Sequence, residues 1–413
     1  MNLTAFFALL GGLLVLAFAA NRLFDRTRVP DVVVLMVAGL ILGPGFGLVD
    51  PAELHGITRA FGTLAIILIL FEGGLELNIR DTLRHSPGGL LFAFLTYVVS
   101  FGVTALVAWR SLGLPAASAL LVGAVLGCTS IAIIMPVLDQ IQVRDPVKVT
   151  LLLEASLGEV FAVLTVGILI DQMERGGPVL GGLIREFMSE IAVALMLTLG
   201  AAWLWARLLP KLSRQPFWQV LTFSAVLLLY AATQAAGGSG LIAVFGFGLG
   251  LANFSRVGPR LAEATFGVEA PPDEPHLQIL AFHSELAFLV RTFFFVLIGL
   301  VVDFAGLIRY VLPAVGILAA LYIARWVAVQ SSRWAWQGIT APERETILWM
   351  LPRGLITAVL AIQVFEARGE EFSFLPALAF GVILLTSLVV VFGSIRARRA
   401  TEAAAAHASG SAS

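Results

Sequence analysis

With 413 residues, 59% of them hydrophobic and only 13% charged, the chain is too apolar for a soluble domain and has the composition of a polytopic membrane protein. Its 26 Lys and Arg against 27 Asp and Glu exclude the charge excess of a nucleic-acid or polyanion binder. Cys128 is the only cysteine, which excludes an intrachain disulfide and a cysteine-based metal centre. A hydrocarbon core of about 30 Å needs roughly 20 apolar residues per helix. On that ruler about thirteen helices follow in chain order, near 3–22, 30–48, 57–75, 88–110, 116–138, 148–170, 182–207, 217–235, 239–253, 277–301, 306–329, 345–365 and 374–395. The first lacks a basic leader and a small-residue cleavage site, so it reads as a retained spanning helix. The Ala/Ser-rich end, 400–413, reads as a disordered tail, leaving 1–399 as one membrane domain.

The connecting loops alternate in basic content. Arg22/Arg26/Arg28, Arg80/Arg84, Arg144/Lys148, Arg207/Lys211/Arg214, Arg256/Arg260, Arg333/Arg344 and Arg396/Arg398/Arg399 fall on one side, against Arg59, Arg110, Arg175, Arg185, Arg309 and Arg368 on the other. By the positive-inside rule the N-terminus is outside and the C-terminus cytoplasmic, in agreement with an odd number of spans. Two spans are interrupted: the fifth at Cys128-Thr129-Ser130, followed by Met135-Pro136, and the twelfth at Leu351-Pro352-Arg353-Gly354. Proline removes a backbone donor and glycine loosens the helix, which a membrane tolerates where the freed groups face protein or a water-lined cavity. With the seventh span as a linker, six lie on either side and each half breaks at its fifth helix. Matched interruptions of this kind point to a transporter's binding site.

Inside the sixth span stand two acids, Glu154 and Glu159. A carboxylate at mid-bilayer depth costs roughly 2.5 to 3.5 kcal/mol on insertion scales, so both are candidate functional residues. Five helical steps place them about 140° apart, on different faces, whereas Ser156 and Glu159 share one. Glu154 therefore needs its own partner, and three arginines lie well inside spans: Arg291, Arg325 and Arg353. Glu72 stands near the end of the third span, and His283, at the start of the tenth, reads as an interfacial histidine. Phe293-Phe294-Phe295 reads as packing, and Trp334 and Trp336 as an interfacial belt. No nucleotide loop, metal-ligand cluster or nucleophile triad suggests an enzyme or a cofactor.

Several motifs in shared order resemble the monovalent cation:proton antiporters, the family of the sodium/proton exchangers. Glu154-Ala155-Ser156-Leu157-Gly158-Glu159 is similar to its sixth-helix signature, and Phe71-Glu72-Gly73-Gly74-Leu75-Glu76 to the acidic glycine motif ending the third helix. Ser239 to Val244 and Gly246 to Asn253 resemble its ninth helix, Phe294 to Gly299 its tenth, Ala324-Arg325 its eleventh, and Leu351 to Gly354 its leucine-arginine-glycine break. The resemblance implies an all-α fold of two inverted six-helix repeats with crossed discontinuous helices five and twelve. It implies that Glu159 is the exchanging carboxylate, that Ser156, Thr129 and Ser130 are ion ligands, and that Glu72 is a further ligand or gate. Glu154 would pair with Arg325, and Arg353 would neutralise the half-helix C-termini at the crossing. A homodimer in the cell membrane is implied too, with the cation and the proton as partners.

Two departures bear on the ion. The family has asparagine-aspartate or two aspartates where this chain has Gly158-Glu159, and its sodium exchangers have threonine-aspartate where this chain has Thr129-Ser130. One exchanging acid implies electroneutral one-for-one exchange, of sodium first, with potassium as the rival ion. A channel or a non-transporting sensor on the same scaffold is the more distant alternative.

Overall fold

The computed structural model describes residues 3–27, 29–46, 55–77, 88–141, 143–175, 179–254, 273–302, 304–333, 336 and 339–410. Its regular elements are helices joined by short connections: α1 (Leu3–Thr27), α2 (Asp31–Leu40), α3 (His55–Glu76), α4 (Gly89–Leu112), α5 (Ala116–Leu126), α6 (Ile131–Ile141), α7 (Asp145–Arg175) and α8 (Val179–Leu212). There follow α9 (Trp218–Ala235), α10 (Gly240–Phe254), α11 (Asp273–Val301), α12 (Phe304–Arg309), α13 (Val311–Ser331), α14 (Ala341–Trp349), α15 (Leu355–Arg368) and α16 (Leu375–Gly410). Among the described residues eight helical segments are long and apolar enough to cross a bilayer, with shorter apolar helices at Leu10–Phe24, Asp31–Gly45 and Gly240–Asn253. The chain is a multi-pass membrane protein.

The expected fifth span is the pair α5/α6 and the twelfth is α14/α15, each parted at the anticipated break. Two further spans depart from a single helix. The second passes into a π-helical turn, Ile41–Gly45, because the ring of Pro44 conflicts with the carbonyl of Leu40 four residues earlier. The eleventh is divided at Tyr310, where Pro313 has no N–H to offer the carbonyl of Arg309. At the other end α16 continues to Gly410, through most of the segment 400–413 read above as disordered; its alanine run has the highest intrinsic helix propensity. Arg80, Arg84, Arg256, Arg260, Arg28 and Trp334 lie outside the described residues.

The chain divides into two compact units, the first formed by 1–60, 85–166 and 292–413 and the second by 61–84 and 167–291. In the first, α4 packs between α5 and α13. Gly123 lets α5 approach α4 closely, since a Cβ there would collide with Ala105 at 2.9 Å. α2 crosses the end of α11 at Gly39 and Gly299, where a Cβ on Gly299 would strike the Met36 carbonyl oxygen. The outer ends of the half-helices are fastened as well. Ser118 Oγ, in the first turn of α5, donates to Glu371 Oε1 (2.6 Å) in the connection after α15. Arg144, in the connection after α6, donates from Nε and Nη2 to both oxygens of Glu343 in the first turn of α14 (2.5 and 2.6 Å).

In the second unit α8, α9 and α10 pack together, and α3 crosses α10 at Gly74 and Gly248. Thr198 Oγ1 donates to the Ala243 carbonyl (3.1 Å), and Asn253 Nδ2 donates to the carbonyl of Leu77 (2.9 Å), just past the end of α3. His283 is buried rather than interfacial. Its Nδ1 lies 2.9 Å from the Ile279 carbonyl oxygen, and its ring meets Phe71 edge-on with centroids 4.8 Å apart.

The crossing glycines are a test of this packing. Gly299→Ala should destabilise the protein by about 1–3 kcal/mol through overpacking, read as a lower Tm in detergent. Gly102→Ala, with nothing within 4 Å of the added carbon, should leave Tm unchanged or raise it, because alanine favours the helix by about 1 kcal/mol.

Candidate functional site

The two breaks meet in the first unit. Ser130 N–H donates to the Pro352 carbonyl (2.8 Å), and Gly354 lies so close to Ser130 that a Cβ at 354 would fall 2.6 Å from the Ser130 Cβ. Only glycine fits there. Each break leaves a half-helix C-terminus whose carbonyls have no following N–H, and these carry the negative end of the helix dipole.

Two buried arginines meet them. Arg353 donates from Nε to the Leu126 carbonyl (2.8 Å) and from Nη2 to that of Gly127 (3.2 Å) at the end of α5, and from Nη1 to Leu351 (3.0 Å) beyond α14. Its own N–H is received by Thr386 Oγ1 of α16 (3.0 Å). Arg325 donates from Nε to Ile347 O (3.0 Å) and from Nη2 to Met350 O, so it caps the end of α14. Its third nitrogen, Nη1, lies 2.8 Å from Glu154 Oε2, and its guanidinium stands over the Phe92 ring, 5.1 Å from the centroid. The structure thus brings Glu154 and Arg325 together, both nearly without solvent exposure at 2% and 1%.

Glu154 and Glu159 have opposite surroundings. Glu154 Oε1 accepts the hydroxyl proton of Thr129 (2.6 Å), so both its oxygens are engaged. Glu159 has no ion-pair partner among the described residues. Its Oε1 accepts from the backbone N–H of Ile131 (3.1 Å), the first residue of α6, where the helix dipole is positive. Ser130 stands beside this carboxyl, yet Ser130 Oγ and Glu159 Oε2 are both buried with no well-formed hydrogen bond. A buried acid beside a hydroxyl, with no cationic side chain paired to it, can take up a proton or a small cation.

The other expected site residues lie as follows. Ser156 Oγ donates to its own helix at Leu152 O (2.8 Å), which leaves only its lone pairs for an ion. Gly158 faces the fifth-helix break: a Cβ there would sit 3.8 Å from Thr129 N and 3.9 Å from Cys128 Cβ, in ordinary contact. The position therefore accepts an added carbon without collision. Glu72 belongs to the second unit, where Ser284 Oγ donates to its Oε1 (2.5 Å) and Arg291 is near enough to act on its charge. Trp336 is buried edge-on against Phe92 with centroids 4.8 Å apart, and so is core packing rather than an interfacial belt. The Ile131 N–H and the Ile347 and Met350 carbonyls were not among the sequence-derived site residues, although a helix break in a sequence marks which backbone groups lose their partners.

A multi-pass helical protein with two interrupted helices meeting beside a buried carboxylate is the architecture of a secondary transporter. The chain belongs to the sodium/hydrogen exchanger family: the family profile described as "Sodium/hydrogen exchanger, transmembrane" matches residues 12–397. It is thereby a member of a transporter family and not an enzyme. The K(+)/H(+) antiporter NhaP of Alkalimonas amylolytica is 27% identical over 395 residues, covering 94% of this chain and 65% of that protein. The chain thus spans just under two thirds of that relative's length. The Na(+)/H(+) antiporter 1 of Methanocaldococcus jannaschii is 24% identical over 383 residues, covering 88% of this chain and 84% of that one. The fold is that of the sodium proton antiporter MjNhaP1 from the same organism, solved at pH 8, with a TM-score of 0.78 at 19% identity over 95% of this chain and all of that one.

Removing one member of the buried pair should strand the other. Glu154→Gln should lower stability by about 3–5 kcal/mol, seen as a reduced Tm or loss of the monodisperse peak on size exclusion. An unchanged Tm would mean that Arg325 is satisfied by the α14 carbonyls alone.

Proposed function

We propose that the chain is a secondary active antiporter that exchanges a monovalent cation for H+ by alternating access, with Glu159 as the exchanging acid. The observation that carries this is the contrast between the two buried carboxylates. Glu154 is ion-paired with Arg325 and accepts from Thr129, whereas Glu159 meets the N–H at the start of α6 and stands beside Ser130 with no ion-pair partner among the described residues. Burial favours the protonated acid and a bound cation favours the carboxylate, so one site holds either and exchange follows from competition. Ser130, the lone pairs of Ser156 and the unwound backbone near Thr129 are the further ligands, with Gly158 beside them.

Exchange is one-for-one, because Glu159 alone among the two sixth-helix acids changes charge. It is then electroneutral, whereas an electrogenic cycle would gain or lose about 2.3 kcal/mol per net charge per 100 mV. Sodium is the first reading for the cation. Potassium is the second, favoured by the K(+)/H(+) name of the 27%-identical relative and by the missing acid at Ser130.

The architecture proposed for this cycle has thirteen spans in two inverted six-helix repeats. If each helix corresponds to the one seven spans later, the glycine crossing of the second and tenth helices at Gly39 and Gly299 is matched by that of the ninth and third at Gly248 and Gly74. The fastening of the fifth helix to the connection after the twelfth, Ser118 to Glu371, is likewise matched by that of the twelfth to the connection after the fifth, Glu343 to Arg144. These correspondences support the repeat. The basic loops orient the N-terminus outside and the C-terminus in the cytoplasm of a cell-membrane homodimer.

Glu159→Ala should abolish cation-dependent proton flux in proteoliposomes while Tm stays near wild type. Retained flux would remove the proposal. Flux from wild type that depends clearly on a clamped membrane potential would overturn one-for-one exchange.

A further inference from the structure

At the break between α5 and α6 three successive residues hold two other elements, α7 at two points and the second break at one. Thr129 Oγ1 donates to Glu154 on α7 (2.6 Å), Ser130 N–H to Pro352 in the other break (2.8 Å), and Ile131 N–H to Glu159 (3.1 Å). Thr129 is buried, and a threonine hydroxyl has one proton to give. That proton goes to a carboxylate already paired with Arg325, which in turn holds the Ile347 and Met350 carbonyls at the end of α14.

We infer that the Thr129 side chain is a positioning residue for exchange rather than a ligand of the cation: it ties the Glu154–Arg325 pair to the segment that presents the Ile131 N–H to Glu159. Loading Glu159 with a proton or a cation changes its hold on that N–H two residues away. Through Thr129 the change reaches Glu154, Arg325 and the end of the other half-helix, so both interrupted helices respond to one occupancy. The inference rests on the proposed exchange at Glu159.

The test is transport kinetics in proteoliposomes with sodium and with potassium, comparing wild type, Thr129→Val and Thr129→Ser. Valine keeps the shape and loses the donor. Thr129→Val should lower turnover about tenfold, the scale of one lost hydrogen bond to a charged group, with the apparent KM for the cation within about twofold of wild type. Thr129→Ser, which keeps the hydroxyl, should recover most of the turnover. A raised KM with turnover kept would make Thr129 a ligand and overturn the inference. So would a Thr129→Val protein that matches wild type, or a Thr129→Ser protein as impaired as the valine variant. If valine prevents folding, Thr129→Ala against Thr129→Ser gives the same comparison. Wild-type vesicles that exchange neither ion would fail the exchange reading and this inference together; exchange by wild type with an unaffected Thr129→Val fails this inference alone.

Discussion

Carbonyl groups left open at the C-terminal ends of α5 and α14 must be satisfied by protein, because a spanning helix that stops inside a bilayer has no water to turn to. Arg353 and Arg325 meet that constraint, and the surrounding structure is arranged around them. Arg353 reaches carbonyls on both sides of the meeting point, at Leu126, Gly127 and Leu351, so one guanidinium serves both broken helices. Arginine suits the task because its five donors are fixed in a planar fork, which a lysine cannot reproduce. Arg325 carries a charge into the same buried region, and that charge is the physical reason for Glu154 on the neighbouring α7.

The same geometry explains why two acids five residues apart on one helix differ in kind. Facing away from each other, Glu154 meets an arginine at a helix C-terminus, and Glu159 meets the N-terminus of α6. A helix N-terminus stabilises a carboxylate by a fraction of a charge, less than an arginine does. Glu159 is thus held in place without being neutralised. That intermediate condition suits a group whose proton and cation must both be able to leave.

Much of this was legible in the sequence because membranes make exceptions conspicuous. Proline and glycine at Pro352 and Gly354, and the polar run Cys128-Thr129-Ser130, marked both breaks, and buried charges were few enough to name singly. The pairing of Glu154 with Arg325 was not legible from spacing, since Arg291 and Arg353 stood at comparable depth; only the resemblance to a family separated them. The destination of the Thr129 hydroxyl was hidden for a related reason. Side-chain hydrogen bonds depend on the rotation of α7 against the break, which no sequence period records. Local chemistry also outweighed the span ruler at Pro44 and Pro313, where proline ended one expected helix in a π-helical turn and split another. His283 and Trp336 looked interfacial from their positions near span ends, yet aromatic neighbours at Phe71 and Phe92 bury them.

Gly158 gives the site its individual character. It leaves space against Thr129 and Cys128 beside a glutamate that reaches one methylene further than an aspartate would, and Ser130 supplies a hydroxyl with no second charge. On the proposed reading such a site has a single carboxylate, Glu159, that trades a proton for a cation. Proton release on cation binding tests that most directly, measured with a pH indicator on purified protein in weakly buffered detergent solution. One proton should leave per cation bound by wild type and none from Glu159→Ala; two protons per cation, or release that survives the substitution, would contradict a single exchanging acid.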